Sequence, residues 1–185
     1  AAVGALRTPM MAGHGTASIS QAELLTMQRA PFAVRALNHL TAGATAASLA
    51  EFNALGSNDT ARLTAFVDQQ LNPSAIDDSA LDARLNGAGY TTLNKSLTQL
   101  WADHRIVTTD SSAPARETQR AALVRAVYSR RQLQEVMVDF WQNHFNVAIT
   151  NSGAAPVYVH YNRDVIRANS LRNFRTMLEA VGQST

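Results

Sequence analysis

From residue 31 onward, apolar side chains recur three and four positions apart, and polar caps or glycines interrupt them every ten to sixteen residues. That spacing belongs to short amphipathic helices. Leu63, Phe66, Val67 and Leu71 show it within "TARLTAFVDQQL", and Leu93, Leu97, Leu100 and Trp101 show it within "TTLNKSLTQLWADHRI". No convincing run alternates apolar and polar residues with period two. "VYVHY" at 157–161 resembles a strand but sits within a longer helical pattern.

The punctuation predicts the helices. Pro31 opens the first, 31–40, where a first helical turn tolerates proline. Thr45 caps the second, 45–55, and Gly56 stops it. Asp59 caps the third, 60–71, which "NP" at 72–73 ends. A fourth follows acidic capping residues at 77–85, and "NGAGY" is a turn. The helix at 91–106 leads to a polar loop, 107–115, then helices at 115–128 and 130–147. Ser129 and Gln132 have the spacing of a capping box at the second of these starts. The last helices span 157–168 and 171–182, with Ser170 capping the second. The expected fold is all-α: a compact, bundle-like array of about eight short helices. Residues 1–29 form a flexible arm and lead-in, and 30–185 form one helical domain. No repeat of 30–45 residues is visible, which argues against a solenoid.

Composition narrows the function classes. Of 185 residues, 46% are hydrophobic and 16% charged, which is globular rather than disordered. The net charge is +2 although the pI is 9.4, and no basic helix face stands out, so nucleic-acid binding is not expected. The absence of cysteine excludes disulfides, thiolate metal sites and a cysteine nucleophile. No window of 18 apolar residues suggests a transmembrane helix. The chain opens on small, irregular sequence beginning with Ala1, as a mature end left by signal removal would. The expected location is therefore secreted or periplasmic.

Candidate chemistry gathers in two places. On a helical wheel, Leu133, Val136, Met137, Phe140, Trp141 and Val147 form one arc with His144 near its middle. Glu135, Asp139, Gln142 and Asn146 lie opposite, and Asn143 sits on the border. His144 is therefore expected to face the core. There it acts either as a structural group bridging helices or as a metal ligand or general base. The second place is "HYNRDVIR", where His160, Asp164 and Arg167 lie on one helical flank at i, i+4 and i+7. A histidine and a carboxylate four apart can share a proton or a cation, or can be an ordinary surface ion-pair row. One short loop separates the two helices, so antiparallel packing is expected to bring His160 or Asp164 toward His144. His144 and Asp164 are the candidate catalytic pair. Asn143, His160, Arg163 and Arg167 are candidate ligand-binding residues. A single histidine supplies no metal-ligand spacing, so no metal site is assigned and no cofactor is specified. No G-x-S-x-G, phosphate-binding loop, G-x-G-x-x-G or H-E-x-x-H pattern occurs.

The blocks "ALNHLTAGATAASLAEFNALG", "FVDQQLNPSAIDDSALDARL", "LVRAVYSRRQLQEVMVDFWQNHFNV" and "YNRDVIRANSLRNFRTMLEAV" resemble the bacterial "domain of unknown function 1800" family. Its motif positions fall on Phe140, Trp141, Asn143, His144, Phe145, Arg163, Asp164, Ile166, Arg167 and Phe174. The resemblance implies a large bacterial protein, often carrying a secretion signal, with no established reaction. It also implies further sequence containing Asn-Glu-Asn and Arg-Glu blocks. On that reading the chain is an N-terminal portion whose partner is the rest of the same polypeptide. The face of Leu171, Phe174, Met177, Leu178 and Val181 would receive that remainder. Two functions are then in view: a secreted or periplasmic binding or scaffold module, or the N-terminal part of an enzyme, metal-assisted or acid–base, whose site the remainder completes.

Overall fold

The computed structural model describes residues 29–107, 110–149 and 153–184. All regular structure among them is helical. The expected arm at 1–29 lies, apart from Arg29, outside the described residues. From Pro31 on the chain makes a single unit.

The helices are α1 (Phe32–Leu40), α2 (Ala46–Ala54), α3 (Asp59–Gln70), α4 (Ser79–Gly87), α5 (Leu97–Trp101), α6 (Ala113–Tyr128), α7 (Gln132–Phe145), α8 (Tyr158–His160) and α9 (Phe174–Gly182). Two of them widen into π-helical turns: α5 continues through Ala102–Ile106, and α8 through Tyr161–Arg167. Short 3₁₀ turns at Pro73–Ala75 and Ala155–Val157 place proline at the start, where its missing N–H costs nothing.

Local chemistry explains several helix starts. Thr45 caps α2 in a reciprocal box with Ser48. Asn58, one residue before the expected Asp59, accepts the N–H of Ala61 at 2.9 Å. Asn173 rather than Ser170 caps α9, accepting the N–H of Thr176 at 3.0 Å, while the Ser170 hydroxyl donates to the Arg167 carbonyl. The box expected from Ser129 and Gln132 is also absent. The Gln132 amide instead donates to the carbonyls of Ala126 and Ser129, and α7 begins without a side-chain cap. At the other end, Asn146 adopts a left-handed conformation (φ 42°), stopping α7 short of residue 147.

The largest departure from expectation is at 91–96, which is not helical. The backbone N–H groups of Thr91 and Thr92 donate to the Glu117 carboxylate, at 3.0 and 2.8 Å, and the Thr92 hydroxyl adds a bond of 2.6 Å. Those amides serve a side chain on α6, so the helix starts only at Leu97, behind a Ser96–Gln99 capping box.

Two apolar clusters hold the helices. Ala33, Leu37 and Phe52 form one between α1 and α2, with Leu63 and Phe66 of α3 packed on it. The other surrounds the segment from Ala155 to Ile166, which meets α6, α7 and α9. Tyr158, Val159, Tyr161, Asn162, Val165 and Ile166 are all buried there, so this segment shows an apolar run rather than one stripe. Buried polar groups tie the clusters at the α6–α7 corner. Asp78 accepts the Ser129 hydroxyl at 2.6 Å and the Arg130 N–H at 2.7 Å. The Gln70 amide donates to the Arg130 carbonyl and accepts the Leu133 N–H.

Glu117→Ala removes the acceptor of at least three bonds and is expected to cost roughly 1–3 kcal/mol in urea unfolding. Burial raises the Glu117 carboxyl, but the bonds from Thr92 and Thr91 outweigh it and hold the group below its ordinary value. Its contribution is therefore full above the unfolded-state value and is lost as pH falls through the folded one. Unfolding free energy measured against pH is expected to fall less steeply in acid for Glu117→Gln than for the parent chain.

Candidate functional site

The α7 helix carries the first set of candidates, and its observed rotation differs from the apolar-arc expectation. Glu135 and Val138 are buried and Gln142 is half-buried, facing the Ala155–Ile166 segment. Glu135 forms a two-pronged ion pair with Arg167, at 2.7 and 2.6 Å. The Gln142 amide donates to the Tyr158 hydroxyl and accepts from Asn162 at 2.7 Å. These distant partners override the apolar arc, since turning the helix to bury the rings would strand the Arg167 guanidinium without its carboxylate.

His144 is consequently exposed, which corrects its expected place in the core. Its ring stacks on Phe140 at 5.8 Å and 15° and meets the edges of Trp141 and Phe145 at 5.7 and 5.1 Å. Trp141 stacks in turn on Phe145 and on Phe174 of α9, and its indole N–H donates to the Ser170 carbonyl at 3.0 Å. Phe140, Phe174 and Leu178 are each about half exposed, at 50%, 53% and 50%. The result is a continuous aromatic face across α7 and α9. Asn143 stands exposed beside it.

The His160–Asp164 pair of the second set is built as its spacing implied, whereas Arg167 is not on their flank. His160 Nδ1 lies 2.8 Å from Asp164 Oδ2. The Arg163 guanidinium grips the same carboxylate through Nε and Nη2, both at 2.7 Å. Arg163 Nη1 donates to the carbonyls of Leu93 and Lys95, at 2.7 and 3.1 Å, which anchors the group to the irregular 91–96 stretch. The Arg163 bonds hold the Asp164 carboxyl below the usual carboxylate range, with His160 adding to the effect. An ionised carboxylate can only accept, so His160 Nδ1 carries the proton. Its Nε2 makes no hydrogen bond among the described residues.

The structure does not join the two sets. α7 packs against the Tyr161–Arg167 turn, yet no hydrogen bond or ion pair links His144 to His160 or Asp164 among the described residues. Arg167 faces Glu135 rather than the His160–Asp164 flank, and its Nε is buried with no partner among the described residues. Burial, and then the neighbouring charge of Arg167, pulls Arg125 down to about 10. No group of three or more His, Cys, Asp or Glu side chains with metal-binding geometry occurs among the described residues.

Sequence reasoning missed a third cluster. His104 is buried. Its Nδ1 is 2.9 Å from the Asp110 carbonyl and its Nε2 3.1 Å from Lys95 Nζ, which also pairs with Asp103 at 2.9 Å. A carbonyl accepts only, so Nδ1 holds the proton and Nε2 accepts from Lys95. The nine-residue separation of Lys95 and His104, on opposite sides of a helix start, left no periodic signal for this contact.

A model of the family described as protein of unknown function (DUF1800) matches residues 35–185. The chain belongs to the DUF1800 family. The match takes in all three clusters. No curated protein and no solved structure matches the chain. Among the described residues, no helix of this DUF1800 chain is long and apolar enough to cross a membrane.

Two substitutions test this geometry. Glu135→Ala strands the Arg167 charge and is expected to cost about 3–5 kcal/mol, whereas the paired replacement of Glu135 and Arg167 by Met is expected to recover much of it. His144→Gln, at an exposed position, is expected to change unfolding free energy by only about 0.5 kcal/mol.

Proposed function

We propose that the chain is a helical binding or scaffold module of a bacterial protein, and that its aromatic face is the surface it binds with. The observation that carries this reading is the continuous face of Phe140, Trp141, His144, Phe145 and Phe174, with Phe140, Phe174 and Leu178 about half exposed. Contiguous apolar patches of this kind mark interaction sites. The rings stack on one another before any partner arrives, so little ordering is needed on binding. The polar residues support the same reading: Glu135 and Arg167 pair in the interior, and Asp164 pairs with Arg163 at the surface.

The partner we propose is further polypeptide of the same protein, packed on α7 and α9. The secreted or periplasmic location we propose rests on the sequence resemblance. Fractionation of the native host, finding the protein in the cytoplasm, would remove the location without touching the binding reading.

Hydroxyl-radical footprinting of the native, gene-encoded polypeptide tests the binding reading. Phe140 and Phe174 are expected to be protected severalfold relative to Leu123 and Val127, which are exposed at 71% and 69% on α6. Equal oxidation of the two sets would sink it. The acid–base alternative is favoured by one observation, the His160–Asp164 hydrogen bond with Nε2 uncommitted. A reaction of the native protein that His160→Gln abolishes while folding is retained would move the assignment there.

A further inference from the structure

The end of α5 gathers three exposed apolar side chains outside the aromatic face. Trp101 is 46% exposed, Ile106 68% and Val107 64%. Exposed apolar residues scattered singly are ordinary. These three follow closely in sequence, and the π-helical turn between them groups them. In a regular α-helix Ile106 would lie about 140° around from Trp101. The turn at Ala102–Ile106 closes from residue i to i+5, as the Val107 N–H does on the Ala102 carbonyl at 3.1 Å. It holds more residues per turn than an α-helix, so Ile106 swings back toward the side of Trp101. Arg105 is on that side too, its guanidinium 5.9 Å from the centre of the Trp101 ring.

The turn projects. Ile106 and Val107 are adjacent, so their side chains leave the backbone in different directions. Both are largely exposed, which requires this helix end to stand clear of the body. Behind it the turn is anchored by His104, buried with Nδ1 on the Asp110 carbonyl and Nε2 on Lys95. The neighbouring charges are spent except one. Asp103 pairs with Lys95 and Asp110 with Arg116, whereas Arg105 makes no ion pair or hydrogen bond among the described residues.

We propose that this tip docks on an anionic lipid surface. Ile106 and Val107 enter the acyl boundary, Trp101 lies at headgroup level, and Arg105 meets a headgroup phosphate. The form of the surface favours lipid over protein. A stable protein interface takes about 800 Å² from each partner, and three side chains, even at about 250 Å² each, fall short of it. A bilayer deforms around a projection and needs no matching cavity. The preference for anionic lipid follows from the unspent Arg105 charge.

The test is co-sedimentation of the native, gene-encoded polypeptide with phosphatidylcholine vesicles, with and without phosphatidylglycerol. Binding is expected to be at least about fivefold stronger with phosphatidylglycerol. Arg105→Gln is expected to remove about fivefold on those vesicles and to change nothing on phosphatidylcholine alone. Ile106→Asp is expected to weaken binding by at least about tenfold while circular dichroism stays native, and Leu123→Asp, exposed on α6, is expected to bind like the parent. Brominated lipid is expected to quench a component of the tryptophan emission that Trp101→Phe lacks. Failure to sediment, undiminished binding of Ile106→Asp, or quenching that Trp101→Phe leaves unchanged would each overturn the proposal. Protection of Ile106 and Val107 from hydroxyl radicals without any vesicle present would give the tip to a protein partner and overturn it as well.

Discussion

The pairing of Glu135 with Arg167 sets the orientation of α7, and much else follows from it. Both prongs are short, and only 7% of the Glu135 side chain reaches solvent. Leaving either charge alone in that place would be costly, so the helix turns to keep them together. Residues 135 and 144 are nine positions apart, which is about 180° around a helix at about 100° per residue. Burying Glu135 therefore puts His144 outside. Phe140, about 140° away by the same count, goes out with it. The aromatic face is thus a geometric consequence of a buried ion pair on the other side of the helix.

A similar economy runs through the irregular stretches. Glu117 receives the amides of Thr91 and Thr92, Asp78 receives Ser129 and Arg130, and Arg163 reaches the carbonyls of Leu93 and Lys95. In each case a side chain replaces the backbone partner that a helix or sheet would have supplied. Loops held this way can sit at fixed positions between helices without regular structure of their own. The same commitment ties Glu135 to Arg167 and Asp164 to Arg163. Among the candidate site residues, the groups left with unused binding capacity are the exposed rings of α7 and α9 and the uncommitted His160 Nε2.

The positions that carry the resemblance to the DUF1800 family divide in two. Phe140, Trp141, Phe145 and Phe174 belong to one aromatic stack, whereas Arg163, Asp164 and Arg167 are fixed by ion pairs and backbone carbonyls. One sequence block therefore serves two physical ends, a surface and the polar frame that orients it.

The sequence by itself determined the helical class, the caps at Thr45 and near Asp59, and the His160–Asp164 contact. These depend on groups within about four residues of one another, where helix geometry alone decides who meets whom. It did not reveal the rotation of α7, the irregular start at 91–96, or the burial of His104. Those depend on Arg167, Glu117, Lys95 and the Asp110 carbonyl. Two of them lie 32 and 25 residues along the chain from the groups they hold, and the other two act across a helix end. An apolar arc states a preference for burial in general. Only the tertiary structure decided which face of the helix met a charged partner, because separating two buried charges costs more than exposing a few rings.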